Sequence, residues 1–139
     1  LPKSHLDNLD FSFSGIKTAV INLHHKNPDI NKADLCISFE KTITEELIEN
    51  TLKAAKQLGV KTIALAGGVS ANSYIRNEFL KLQEKGYEIY YPQPILCTDN
   101  AAMIASAGYY TYLAGYHSDL TLNAVPNLSV YQLGDVSSN

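Results

Sequence analysis

The sequence predicts an α/β domain, and three observations carry that expectation. Short apolar runs alternate with longer segments of helical period. Glycines stand where helices should stop, at Gly59, Gly86 and Gly115. Apolar residues make up 45% of the 139, enough for one buried core, while charged residues make up 18%, below the usual quarter or so and unlike a disordered chain.

The elements follow in order. Phe11 and Phe13 alternate with Ser12 and Ser14, the period of a short strand. Ser14-Gly15 turns into a helix over residues 16–25, with Ala19, Val20 and Leu23 at helical spacing, and Asn27-Pro28-Asp29 ends it. A long helix over 32–58 carries Leu35, Phe39, Ile43 and Leu47 at every fourth position, continued by Leu52 and Ala55. Its charged residues Glu40, Lys41, Glu45, Glu46, Glu49 and Lys53 read as a solvated face. Residues 61–66 are a short apolar run between a helix stop and Gly67-Gly68, which suits a buried parallel strand. A helix over 71–85 follows, with Ile75, Phe79 and Leu82 on one side. Residues 87–91 form a second strand, closed by Pro92 and Pro94, and Ala101 to Ala114 form the last helix. Residues 1–139 read as one domain, with 116–139 an extension in which 128–131 suit an edge strand or an extended arm.

Composition narrows the function. A net charge of −3 gives no global basic field for nucleic acid, so any RNA contact needs a local patch. Cys36 and Cys97 are too far apart for a CxxC knuckle and point to a reducing compartment. No apolar run reaches membrane-spanning length and no signal-peptide pattern opens the chain, so a soluble cytoplasmic protein is expected. The chain opens at Leu1 and runs at once into an ordered-looking segment, as a piece of a longer protein would.

Three constellations have chemical content. In Ala66-Gly67-Gly68-Val69-Ser70-Ala71-Asn72, with Arg76 a turn later, a strand meets a double-glycine turn and a helix start. Glycines admit a ligand close to the backbone, and a helix N-terminus offers unpaired N–H groups. Asn72 both donates and accepts, which suits a ribose or an adenine edge. The alternative is a plain tight turn with Ser70 as the helix cap. In Cys97-Thr98-Asp99-Asn100, Asp99 suits a divalent metal, or else Thr98 or Asp99 is an N-cap. Ser12 to Thr18 gathers hydroxyls and Lys17 at a helix start, an anion site or simply a capped helix. His24-His25 are adjacent on a helix and do not easily share one ion; near a helix end they complement its dipole. His5 and His117 fall in segments without a readable period, and no Ser-His-Asp or Cys-His spacing marks a nucleophile.

Taken together, Asp10 to Val20, Ala66 to Asn72 and Cys97 to Ile104 resemble the C-terminal part of the tRNA N6-adenosine threonylcarbamoyltransferases, formerly called O-sialoglycoprotein endopeptidases. The resemblance covers the chain to about Gly115. It implies the C-terminal half of an actin-like ATPase (ribonuclease-H-like, ASKHA) fold, with the nucleotide in the cleft between two halves. It implies that Gly67, Gly68 and Asn72 contact the nucleotide and that Asp99 is one ligand of a divalent metal, commonly iron. The family's HxxxH metal motif has no counterpart here. The resemblance further implies transfer of a threonylcarbamoyl group from threonylcarbamoyl-AMP to N6 of adenosine 37 in tRNA, with tRNA and the partner proteins of that modification as partners, and a metal acting as Lewis acid. No catalytic residue is assigned. One half of such an enzyme is expected to be inactive alone. Two other readings are a nucleotide-binding or partner-docking module without catalysis, and a metalloprotease, which the lack of an HExxH motif disfavours.

Overall fold

A computed structural model describes residues 1–3 and 8–127. Its contacts fall into two units, Leu1–Thr98 and Asp99–Asn139.

The first unit opens on helix α1, Ser14–Lys26. The strand expected over residues 11–13 does not form: these residues are irregular up to the helix start. A strand needs a neighbour to complete its ladder, and the sheet of the described residues has only two strands, both later in the chain. The two phenylalanines instead stack on each other, ring centroids 5.6 Å apart. His24, His25 and Lys26 lie in the last turn of α1, where positive charge complements the helix dipole.

Helix α2 spans Lys32–Leu58, with the bounds the periodicity predicts. Both ends have local causes. The Asn31 side chain accepts from the N–H groups of Ala33 and Asp34, and Gly59 adopts φ +66°, a left-handed stop that costs glycine little. The solvated-face reading holds only in part. Glu46 is 3% exposed, one turn from buried Thr42, so a polar stripe of α2 faces inward. The hydroxyls of Thr42 and Thr44 donate to the carbonyls of Ser38 and Glu40, which lets them be buried. Lys3 holds the outer side, 2.7 Å from Glu49 and 3.0 Å from Glu45. The hydrogen bond from Lys3 keeps the Glu45 carboxyl below its usual range. Its small contribution is therefore present above the ordinary carboxylate pKa and is lost as pH falls through the lowered one.

Strands β1 (Thr62–Ala64) and β2 (Glu88–Tyr90) pair in parallel, Ile63 opposite Ile89. Parallel neighbours need a crossover. Here it is a 3-10 turn over Gly68–Ala71, helix α3 over Ser73–Leu80, and a second 3-10 turn over Lys81–Lys85. The single helix expected over 71–85 is thus three pieces. Asn72 is extended (φ −64°, ψ 121°), so α3 must begin after it, and Gly86 (φ +81°) ends the last turn. Ile63, Ile75, Phe79, Leu82 and Ile89 form the core, with Leu47, Ile48 and Leu52 of α2 packed against it. Each such side chain contributes about 1.5–3 kcal/mol of burial.

The second unit contains helix α4, Ala101–Leu113, followed by Gly115 at φ +84°. Neither Thr98 nor Asp99 caps it. Asn100 does, accepting from the Met103 N–H at 2.9 Å, because its own extended backbone turns its side chain back over the first turn. His117 packs edge-on against Tyr112. His5 and the 128–131 segment lie outside the described residues. No helix among the described residues is long and apolar enough to cross a membrane.

Candidate nucleotide site

The double-glycine turn follows β1 directly. Gly67 has φ +84° and ψ 168°, a conformation essentially confined to glycine. That bend turns the chain out of the sheet and into the 3-10 turn. The Ser70 hydroxyl donates back to the Gly67 carbonyl at 2.7 Å and closes it. Ser70 is therefore not the helix cap. Asn72 is: its Oδ1 accepts from the Ile75 N–H at 3.0 Å.

Arg76 braces the turn from below. Its Nε and Nη2 both donate to the Ser70 carbonyl, at 3.2 and 2.9 Å, and Nη2 also donates to Cys97 Sγ at 3.3 Å. The guanidinium lies over the Tyr91 ring, 4.6 Å from its centroid. The buried Cys97 thiol points its own hydrogen toward the Gln93 and Pro92 carbonyls. One arginine therefore ties the double-glycine turn to the segment leaving β2. Its spacing from the glycines was visible in the sequence; its partners Tyr91 and Cys97, further along the chain beyond β2, were not.

Beside the turn lies a groove of about 380 Å³ lined by Cys36, Phe39, Glu40, Ile43, Val69, Asn72 and Ile75. Its volume is within the range of small-molecule sites. The upper part of the apolar stripe of α2, Phe39 and Ile43, faces this groove, while Leu47 and Leu52 pack on the core. Asn72 joins two of the lining segments, its Nδ2 donating to Glu40 Oε1 at 2.6 Å. Of the residues singled out in the sequence, Asn72 lines the groove. Gly67 and Gly68 do not line it themselves but deliver Val69 to its wall. Asp99 belongs to the second unit and is exposed. Glu40 was missed, being one charge among nine on α2. A helical wheel puts it three residues before Ile43 and four after Cys36, at the border of the apolar stripe.

In the Ser12–Thr18 segment the Ser12 and Ser14 hydroxyls lie 3.4 Å apart at the start of α1, while Thr18 and Lys17 are engaged elsewhere. Thr18 Oγ1 donates to the Ser14 carbonyl at 3.0 Å, and Lys17 stands beside an apolar groove with Val20, Ile21, Leu35, Cys36 and Phe39. Nor do the described residues fit a metal by themselves: no three His, Cys, Asp or Glu side chains among them come together. A single carboxylate such as Asp99 is a weak ligand for a divalent ion.

A model of the TsaD family, tRNA N6-adenosine threonylcarbamoyltransferase, matches residues 1–106. The chain belongs to this family. Among its curated relatives, the tRNA N6-adenosine threonylcarbamoyltransferase of Symbiobacterium thermophilum is 49% identical over 135 residues, which cover 94% of this chain and 40% of the relative. The protein of the same name from Clostridium perfringens is 51% identical over 129 residues, covering 89% of this chain and 38% of the relative. That of Clostridium botulinum is 49% identical over 131 residues, 91% of this chain and 38% of the relative. The chain thus spans about two fifths of the length of the curated relatives it matches. The matched region of the family includes α2, the double-glycine turn, Asn72, the Arg76 brace and Asp99.

Proposed function

We propose that the whole protein transfers a threonylcarbamoyl group from threonylcarbamoyl-AMP to N6 of adenosine 37 in tRNA, and that this chain supplies one wall of its nucleotide site. The observation that carries the proposal is the family match over a segment that includes a groove suited to a nucleoside. In the larger protein this α/β unit would be the C-terminal half of an actin-like fold, with the nucleotide between two halves. The modification's partner proteins would act with the whole protein.

In the transfer, the N6 amine forms a bond to the carbamoyl carbon as the bond from that carbon to the phosphate oxygen breaks. AMP leaves and the amine gives up a proton. The residues of this chain bind and orient the leaving nucleotide. Phe39, Ile43, Val69 and Ile75 offer apolar surface to the base, and Asn72 offers a donor and an acceptor to the polar edge of the nucleoside. Gly67 and Gly68 shape the turn that sets Val69 against the groove and Asn72 beside it. A metal, iron by the family resemblance, would act as a Lewis acid on the carbamoyl group. Asp99 would give it one carboxylate, with further ligands from outside the described residues.

Asp99→Ala in the intact protein should lower the metal bound per molecule, measured by elemental analysis, and reduce threonylcarbamoyl transfer to tRNA. Unchanged metal content would reject Asp99 as a ligand. Failure of the unsubstituted intact protein to modify tRNA with threonylcarbamoyl-AMP and its partners present would reject the transfer itself.

A further inference from the structure

We infer that helix α4 is an enclosed element of the intact protein, covered on all its faces by the part of that protein that lies outside this chain. The inference rests on the composition of α4 and on the length of the family's proteins, and not on the nucleotide reading above.

Helix α4 has no face for water. From Ala101 to Tyr116 there is no charged residue. At about 3.6 residues per turn, Ile104, Tyr112, Tyr109, Leu113, Tyr110 and Met103 follow one another around the whole circumference. A surface helix keeps a polar face opposite its apolar stripe, whereas a helix that is apolar all round belongs inside a larger protein. Yet no residue of α4 is buried, and Ile104, Tyr110 and Leu113 are 66%, 68% and 61% exposed. The Thr111 hydroxyl already donates to the Ala107 carbonyl at 2.8 Å, so it does not depend on water for a partner. A helix of 13 residues is also marginal in water by itself, and its stability in a protein comes from packing.

The same composition selects what covers it. The 13 residues of α4 reach about 20 Å, short of the roughly 30 Å core of a bilayer. A helix lying on a membrane surface needs a polar face rich in Lys or Arg, and α4 has neither. Nucleic acid calls for the same positive charge. A second copy or a transient partner would cover one stripe and leave the other faces in water. Enclosure within one folded protein covers every side. The family's proteins have the material for it: the match takes in 94% of this chain but 40% of the Symbiobacterium thermophilum relative, so the larger part of such a protein lies outside it. The covering surface is apolar, and beside the C-terminal half of α4 it offers acceptors to the hydroxyls of Tyr109, Tyr110 and Tyr112.

The test is photocrosslinking in the intact protein, with p-benzoylphenylalanine in place of Tyr110 or of Tyr112. The two positions look to nearly opposite sides of the helix, and the replacement is aromatic in both, so the fold is kept. Mass-spectrometric mapping should find crosslinks from both positions within one polypeptide, onto residues outside this chain. A position that crosslinks only to a second copy, only to residues 1–98 or 117–139, or to no protein residue overturns the inference. A charge scan gives the second measurement. Ile104→Glu, Ala105→Glu, Ser106→Glu and Ala107→Glu point in four directions about 100° apart. Glutamate is a good helix former, so each variant should lose several degrees of Tm through an unpaired buried charge and not through the helix itself. An unchanged Tm in any of the four would reveal a face open to water and overturns the inference as well.

Discussion

Arg76→Ala should destabilise the first unit by about 2–3 kcal/mol and abolish measurable AMP binding. Arg76 makes two bonds to the Ser70 carbonyl, one to the Cys97 sulfur, and a stacked contact with Tyr91. Bonds from a charged donor contribute roughly 1.5–3 kcal/mol, and a stacked cation at a partly exposed site roughly 0.5–1 kcal/mol. These are not additive, since all four contacts depend on one guanidinium. Losing them frees the closing end of the double-glycine turn and the segment from Tyr91 to Cys97 together. Arg76→Lys should recover little, because an ammonium cannot fork onto one carbonyl while lying flat on a ring. Urea unfolding of the three proteins measures the first effect and calorimetric titration with AMP the second. Full stability and full affinity in the alanine variant would show that the turn stands without its brace.

Gly67→Ala and Gly68→Ala should differ sharply although the glycines are adjacent. At Gly67 an added methyl meets nothing within 4 Å, so there is no clash. The cost is in the backbone: φ +84° with ψ 168° is nearly closed to L-residues, and holding alanine there costs on the order of 1–3 kcal/mol. The turn would relax toward an ordinary conformation, taking Val69 from the groove wall and Ser70 from Arg76. At Gly68 the nearest atom to an added methyl is Thr98 Cγ2 at 3.9 Å, an ordinary contact, and φ is not positive. Its effect on stability should lie within about 0.5 kcal/mol. Melting temperature and AMP affinity of the two variants check this. Equal losses would mean that the turn's conformation is not what the ligand requires.

Where a residue's neighbours are close in sequence, the sequence was a good guide. Helix α2 was legible to its end residues because Asn31 and Gly59 act within one turn of themselves. The parallel strands were legible because each is a short apolar run between a glycine stop and a turn. Caps were less so. Ser70, Asn72, Thr98, Asp99 and Asn100 all have cap-forming side chains, and which one caps depends on backbone angles that composition does not encode. Residues 11–13 have a strand's alternation but no partner strand among the described residues, so period alone misled. In the candidate site, Asn72 stands out in the sequence through its motif, and its hydrogen-bond partner Glu40 does not. The two are 32 residues apart and meet only because α3 packs on α2. The buried Glu46, six residues further along the same helix, was read as solvated for the same reason.

On the proposed reading, the face between α2 and the double-glycine turn holds the adenine nucleotide. Photoaffinity labelling of the intact protein with an azido-adenine nucleotide, followed by peptide mapping, tests it most directly. AMP-protected label is expected on the α2 peptide carrying Cys36 to Ile43, or on the peptide carrying Val69 to Arg76. AMP-protected label confined to residues outside both peptides would contradict it.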